Sequence, residues 1–183
     1  MKNKLLKYIN IFIYLIYLVS AIFFIFKKDF FSLFITIGCI VGTFILRFIN
    51  KKYNELLDNK LYIAIVIFII ISSLLGTCYN FYSIKYYDDF LHFTSGILSC
   101  IIAWYIFKYF NIKSQKKLIF LAIFMFMFNM GVASLWEIIE FLLDRFAGTH
   151  TQIGGLSDTV IDMIDALIGS IITIPFIIKY SKK

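Results

Sequence analysis

Apolar residues fill six long runs along the chain, and polar residues collect mainly between them. The runs cover roughly residues 5–26, 31–50, 60–82, 88–109, 117–144 and 157–179. Each supplies the ~20 apolar residues that a helix needs to cross a bilayer. The fifth run is long and carries acids near its far end, so it is expected to project beyond the hydrocarbon. The first run follows a basic start, KNKLLK, but continues past Val19, Ser20 and Ala21 to Phe26. That is too long for the apolar core of a signal peptide and predicts an uncleaved first helix. The connections are short and polar, without a Pro-rich or Gly/Ser-rich linker. The pattern predicts an all-α integral membrane protein: one polytopic domain over residues 1–183, built as a bundle of six transmembrane helices.

Composition agrees. The 183 residues are 61% hydrophobic, with 22 Phe and a single Pro, and the mean hydropathy is +0.88. Such a chain leaves no room for a soluble domain of ordinary size. Cys39, Cys78 and Cys100 fall in three different runs, away from any metal-motif spacing, and read as small buried residues.

The net charge of +7 does not indicate a nucleic-acid partner, because the cations are arranged by topology. Fourteen of the 18 Lys and Arg residues fall at the N-terminus, around Arg47–Lys60, around Lys108–Lys117 and at the C-terminus. The other connections hold only Lys27, Lys28, Lys85 and Arg145. The positive-inside rule then places both termini in the cytoplasm, and the Lys clusters read as topogenic and solvated.

The acids follow a different pattern. Glu55 and Asp58 are expected on the cytoplasmic side, and Asp29 in the first outer loop. The remaining eight lie toward the outer ends of the last three runs: Asp88, Asp89, Glu137, Glu140, Asp144, Asp158, Asp162 and Asp165. His92 joins them. The chain thus divides into an apolar scaffold, residues 1–82, and a half that carries the chemistry, residues 86–179. At 100° per residue, His92 lies about 40° from Asp88 on its helix. Glu137, Glu140 and Asp144 fall within about 60°, as do Asp158, Asp162 and Asp165. At 1.5 Å per residue the three helices offer these groups at similar depth. Carboxylates in a span cost about 2.5–3.5 kcal/mol each at its centre, so they normally face a bundle interior or a wet cavity.

So many like charges need compensation, from shared protons or from a divalent cation. An imidazole among carboxylates suits Zn, Mn or Fe; an all-oxygen set suits Mg or Ca. The pairs Glu137/Glu140 and Asp162/Asp165, three residues apart, can converge on one ion. Helix capping is the competing explanation for Asp88, Asp89 and Asp158, and a solvated helix end for Asp144 and Arg145. Trp104 and Trp136 read as interface or packing residues. The loop RFAGTHTQIGGLS, residues 145–157, reads most simply as a mobile turn; folded over the acids it would be a lid, with His150 as a further ligand.

Three stretches, YDDFLHFTSG, WEIIEF and QIGGLSDTVIDMIDALIGS, resemble the YjdF-type family of bacterial inner-membrane proteins. That family shows an Asp-x-x-x-His-Phe element, an acid pair on the next helix, and a Gly-x-x-x-Asp-x-x-x-Asp-Met element, in this order. More distantly the layout is similar to VanZ-like proteins, associated with glycopeptide resistance. The VanZ-like pattern has Asn where this chain has Asp162, and Gln where it has a second Glu. The resemblance covers residues 86–170. It implies a site of Asp88, His92, Glu137, Glu140, Asp158, Asp162 and Asp165 and carries no established reaction; among these, Glu137, Glu140 and Asp162 are the catalytic candidates.

The residues and the resemblance together give an expectation of an outward-facing Asp/Glu/His site holding a divalent metal. A metal-dependent hydrolase of a lipid or lipid-linked substrate fits it, as membrane-embedded hydrolases do. An ion- or proton-coupled transporter and a non-catalytic protein with a structural polar network are the alternatives. The orientation is open to direct test: a reporter fused to the C-terminus should register cytoplasmic, and moving Lys residues into the 27–28 and 85 loops should perturb it. An external C-terminus in the wild type refutes the assignment.

Overall fold

The computed structural model describes residues 2–53, 56–111, 117–149, 151–152 and 154–181. Glu55, Lys113, Lys116, His150, Lys182 and Lys183, used above, lie outside the described residues. The helices are α1 Lys2–Lys27, α2 Phe30–Lys52, α3 Asn59–Ile69, α4 Tyr87–Tyr109, α5 Lys117–Ala147 and α6 Leu156–Ser181. There is no strand among the described residues. Among the described residues six helices are long and apolar enough to cross a membrane, α3 counting together with its continuation to Cys78.

The expected boundaries hold to within a few residues except in the third span. There α3 runs on as a π-helical segment, Ile70–Cys78, and the chain turns before the expected end at residue 82. Asn80 takes a left-handed conformation, and Phe81–Ser83 form a single 3₁₀ turn. The Tyr82 ring lies against Gly76, where a Cβ would meet its Cε2 at 2.6 Å. Glycine is therefore the residue that lets the turn fold back on the helix.

Contacts group the chain into two compact units, Met1–Ile84 and Lys85–Lys183. In the first, α2 presents a buried stripe of Ser32, Thr36, Cys39, Thr43 and Asn50. Small residues at this spacing let neighbouring helices approach, and their polar atoms find partners across the interface. Tyr17 Oη and Thr43 Oγ1 are 3.2 Å apart. Tyr62 donates to Asn10 at 2.7 Å. Asn50 holds both backbone groups of Leu57, accepting from its N–H at 2.7 Å and donating to its carbonyl at 3.1 Å. Asp29 caps α2, its carboxylate accepting from the Ser32 amide at 3.0 Å. That hydrogen bond, foremost, holds the Asp29 carboxyl below the usual carboxylate range.

The second unit is a three-helix bundle of α4, α5 and α6. Its tightest point is the crossing of α4 and α6. A Cβ on Gly96 would overlap the Ala166 carbonyl oxygen, and one on Gly169 the Phe93 carbonyl oxygen. Ser99 donates to Asn129 Oδ1 at 2.6 Å, and Asn129 Nδ2 donates to the Ala166 carbonyl at 3.0 Å. One buried amide on α5 thus ties all three helices together. Toward the 108–117 end the interior is apolar, with Cys100, Ala103, Phe107, Leu121, Met125 and Ile177 in one cluster.

The crossing predicts a mutational cost. Gly169→Val forces backbone separation, and overpacking of this kind costs about 1–3 kcal/mol. For a chain of this size that is a fall of roughly 3–10 °C in melting temperature. Thermal unfolding of the purified protein in detergent reads it, and an unchanged midpoint counts against the close crossing.

Candidate functional site

The site follows from which residues α4, α5 and α6 turn inward. Leu121, Met125, Asn129, Ala133, Glu137 and Glu140 are all buried on α5. Steps of four, then one of three, make a stripe that winds slowly around the helix. The stripe changes from apolar to acidic within one helix. On α6 the buried face is Asp162, Ala166, Gly169, Ser170, Thr173 and Ile177. On α4 it includes His92, Gly96, Ser99 and Cys100. The Gly-mediated crossing therefore sits directly beneath His92 and Asp162 and draws them together.

His92 is the centre. Its Nε2 lies 3.4 Å from Asp88 Oδ1 and 3.9 Å from Asp162 Oδ1, and its Nδ1 lies 4.0 Å from Glu137 Oε1. Glu137, Glu140 and Asp162 are 5%, 8% and 2% exposed, which is rare for carboxylates without compensating partners. Three ligand sets form: Asp88, His92 and Asp162; His92, Glu137 and Glu140; Asp89, Asp162 and Asp165. Within each set the ligand atoms lie within 4.8 Å of one another. A cation with bonds of about 2.0–2.2 Å holds ligand atoms no more than about 4.4 Å apart, so such a set would tighten slightly around one. His92 and Asp162 each belong to two sets, so the three are contiguous. Glu137 Oε1 and Asp165 Oδ2 are buried and have no hydrogen-bond partner among the described residues. A buried carboxylate oxygen without a donor is costly unless something else satisfies it.

Several sequence expectations change in detail. Asp88 and Asp89 stand in the first turn of α4, behind the N-cap residue Tyr86; Asp88 Oδ1 lies 3.4 Å from His92 Nε2. α6 begins at Leu156, so Ser157 and Asp158 are inside its first turn rather than ahead of it. Asp158 packs against Gly154 and belongs to none of the three ligand sets among the described residues. Trp136, read as packing, donates its indole N–H to Glu140 Oε1 at 3.0 Å.

The described part of the 145–157 loop is tied down rather than free. Asp144 Oδ1 accepts from the hydroxyls of Thr149 and Thr151 at 2.6 and 2.8 Å and from the Thr151 amide at 2.8 Å. Asp144 Oδ2 accepts from the Gln152 amide at 3.0 Å. This shell, not a solvated helix end, is the role of Asp144. It aims the Gln152 side chain at Glu137 Oε2, 3.3 Å away, and at Thr159 Oγ1, 2.9 Å away. Gln152 therefore bridges α5 and α6 at the mouth of the acidic layer. Asn129 and Gln152 are the site's supports that the sequence reading did not assign. Asn129 carried a signal, being eight residues before Glu137 on the same helix face.

Comparison with known proteins places this geometry in context. A family described as "Predicted membrane protein (DUF2238)" matches residues 9–183. An uncharacterised protein of Thermotoga maritima is 32% identical over 104 residues, 55% of this chain and 53% of that protein. The match therefore spans about half the length of that relative. No solved structure matches the chain.

The loop yields a prediction. Asp144→Ala removes the acceptor for the Thr151 and Gln152 amides. Hydrogen bonds to a charged group contribute about 1.5–3 kcal/mol, so the exchange of these two amides should accelerate by at least tenfold in hydrogen–deuterium exchange. Unchanged exchange would mean that the loop is held by something else.

Proposed function

The chain belongs to the predicted membrane protein family DUF2238, the YjdF-type family, and we propose that its function rests on a divalent cation bound by His92, Glu137 and Glu140. The observation that carries this reading is the buried, unpartnered Glu137 Oε1 facing His92 Nδ1. Gln152 holds Glu137 by its other oxygen, and Trp136 holds Glu140 by Oε1. Each glutamate is oriented by a donor on one oxygen while the other is left to ligate, which is how outer partners position metal ligands. His92 Nε2, turned to Asp88 and Asp162, then serves as the donor that fixes the ring. The adjoining set of Asp89, Asp162 and Asp165 has its own unpartnered oxygen and offers a second, weaker position. The imidazole favours Zn, Mn or Fe over Mg.

A structural role alone is the weaker reading. The three helices are already joined by Asn129, Ser99 and the glycine crossing, so the acids are surplus to cohesion. Transport is disfavoured by the apolar cluster that closes the other end of the bundle interior. We therefore favour a metal-dependent hydrolase acting on a lipid or lipid-linked substrate, with both termini cytoplasmic and the site toward the outer face of the cell membrane. The cation's part is to polarise the scissile oxygen and activate water. The protein's part is to hold the ligands, to offer Asp162 or Asp88 as proton acceptor, and to cover the mouth with the Asp144 loop.

Metal analysis of protein purified after equilibration with Zn, Mn, Fe and Mg is the test. At least one equivalent per chain is expected for wild type and none for Glu140→Gln. Asp162→Asn should weaken retention by about 10–100-fold. Wild type without stoichiometric metal overturns the reading. Metal retained without turnover of lipid-linked phosphate or acyl substrates removes the hydrolase and leaves the cation site.

A further inference from the structure

The first unit holds a site of opposite character. A cleft of about 620 Å³ opens between the start of α1 and the end of α2. Lys7, Arg47 and Lys51 line it, and no carboxylate does among the described residues. Three like charges around one cleft repel each other unless an anion joins them. Two of the three are ordinary solvated lysines. Arg47 is different: its Nη1 is buried and has no hydrogen-bond partner among the described residues. Its guanidinium lies over the Tyr62 ring, 5.4 Å from the centroid, so the ring fixes the fork in place. Asn10, the polar neighbour on α1, is turned to other groups: its Oδ1 accepts from Tyr62 and its Nδ2 donates to the Leu6 carbonyl.

Apart from Asn10 and the Tyr14 hydroxyl, the rest of the lining is apolar. Ile11 and Phe44, 45% and 64% exposed, flank the basic groups. A fixed guanidinium fork with two ammonium groups beside it matches the geometry of a phosphate oxyanion. The adjoining apolar wall matches hydrocarbon. Basic pockets between transmembrane helices are the form that recognition of anionic lipid headgroups takes. We propose that this cleft binds the phosphodiester headgroup of an anionic phospholipid, with Arg47 as its anchor and Lys7 and Lys51 as its flanks. These three cations then have a partner beyond their topogenic role.

The test uses the full chain in detergent, with phosphatidylglycerol, phosphatidylcholine and inorganic phosphate as probes and native mass spectrometry as readout. Wild type should retain phosphatidylglycerol at least tenfold better than phosphatidylcholine. Arg47→Gln should lose that preference, Arg47→Lys should keep part of it, and Lys28→Gln, outside the cleft, should keep all of it. If Arg47→Gln does not fold by circular dichroism, the exposed double variant Lys7→Gln/Lys51→Gln reads the same site, with loss of at least threefold expected. Equal retention of both lipids by wild type overturns the proposal, as does unchanged preference in the folded variants. Displacement of phosphatidylglycerol by equimolar inorganic phosphate would assign the cleft to a free anion and overturn the lipid.

Discussion

The contact between α4 and α6 at Gly96 and Gly169 is the constraint on which the second unit depends. A backbone can come this close to the Ala166 and Phe93 carbonyls only where the facing residue carries no side chain. His92 stands four residues before Gly96, and Asp162 stands seven before Gly169. One and two helical turns separate them from the crossing, so the approach at the glycines brings imidazole and carboxylate to within 3.9 Å. Any widening of the crossing would be felt at the site as a loss of shared ligand distance. Asn129 locks the third helix into the same arrangement and carries Glu137 and Glu140 with it.

The balance of forces differs between the two ends of this bundle. Toward the 108–117 end, the apolar cluster around Met125 and Phe107 excludes water and needs no partner beyond shape. At the acidic end, burial of carboxylates is unfavourable by several kcal/mol if they are left charged and unpaired. The glycine crossing and the Asn129 network lie between. They supply cohesion that the acids do not, and so allow the chain to bring unfavourable groups together.

Much of this was legible in the sequence, for a physical reason. Run length alone fixes which helices can span lipid, and a bilayer gives no other use to a 20-residue apolar run. The acids were legible because they are expensive where they stand; Glu137, Glu140 and Asp162 share a face by helical arithmetic. What sequence spacing does not carry is the choice between two chemically reasonable roles. Asp88 at a helix start suits a cap as well as an imidazole partner, and only the fold shows its Oδ1 3.4 Å from His92 Nε2. Asp144 beside Arg145 reads as solvated until the loop is seen folded back on it. The π-helical segment Ile70–Cys78 was also beyond reach, because it has the same apolar composition as the helix it continues.

Arg47 marks the sharpest limit of that kind of reading. In sequence it is one of fourteen cations on the side assigned to the cytoplasm, and nothing separates it from Lys51 or Lys52. Position in the fold separates them. Arg47 lies one turn beyond the buried Thr43 and one turn before the buried Asn50 on the same face of α2. Its stem must therefore run along the helix interface, while the lysines can reach water. A guanidinium cannot shed its proton to relieve burial, as an ammonium or carboxylate can. It has to find an acceptor, and among the described residues no carboxylate lines the cleft.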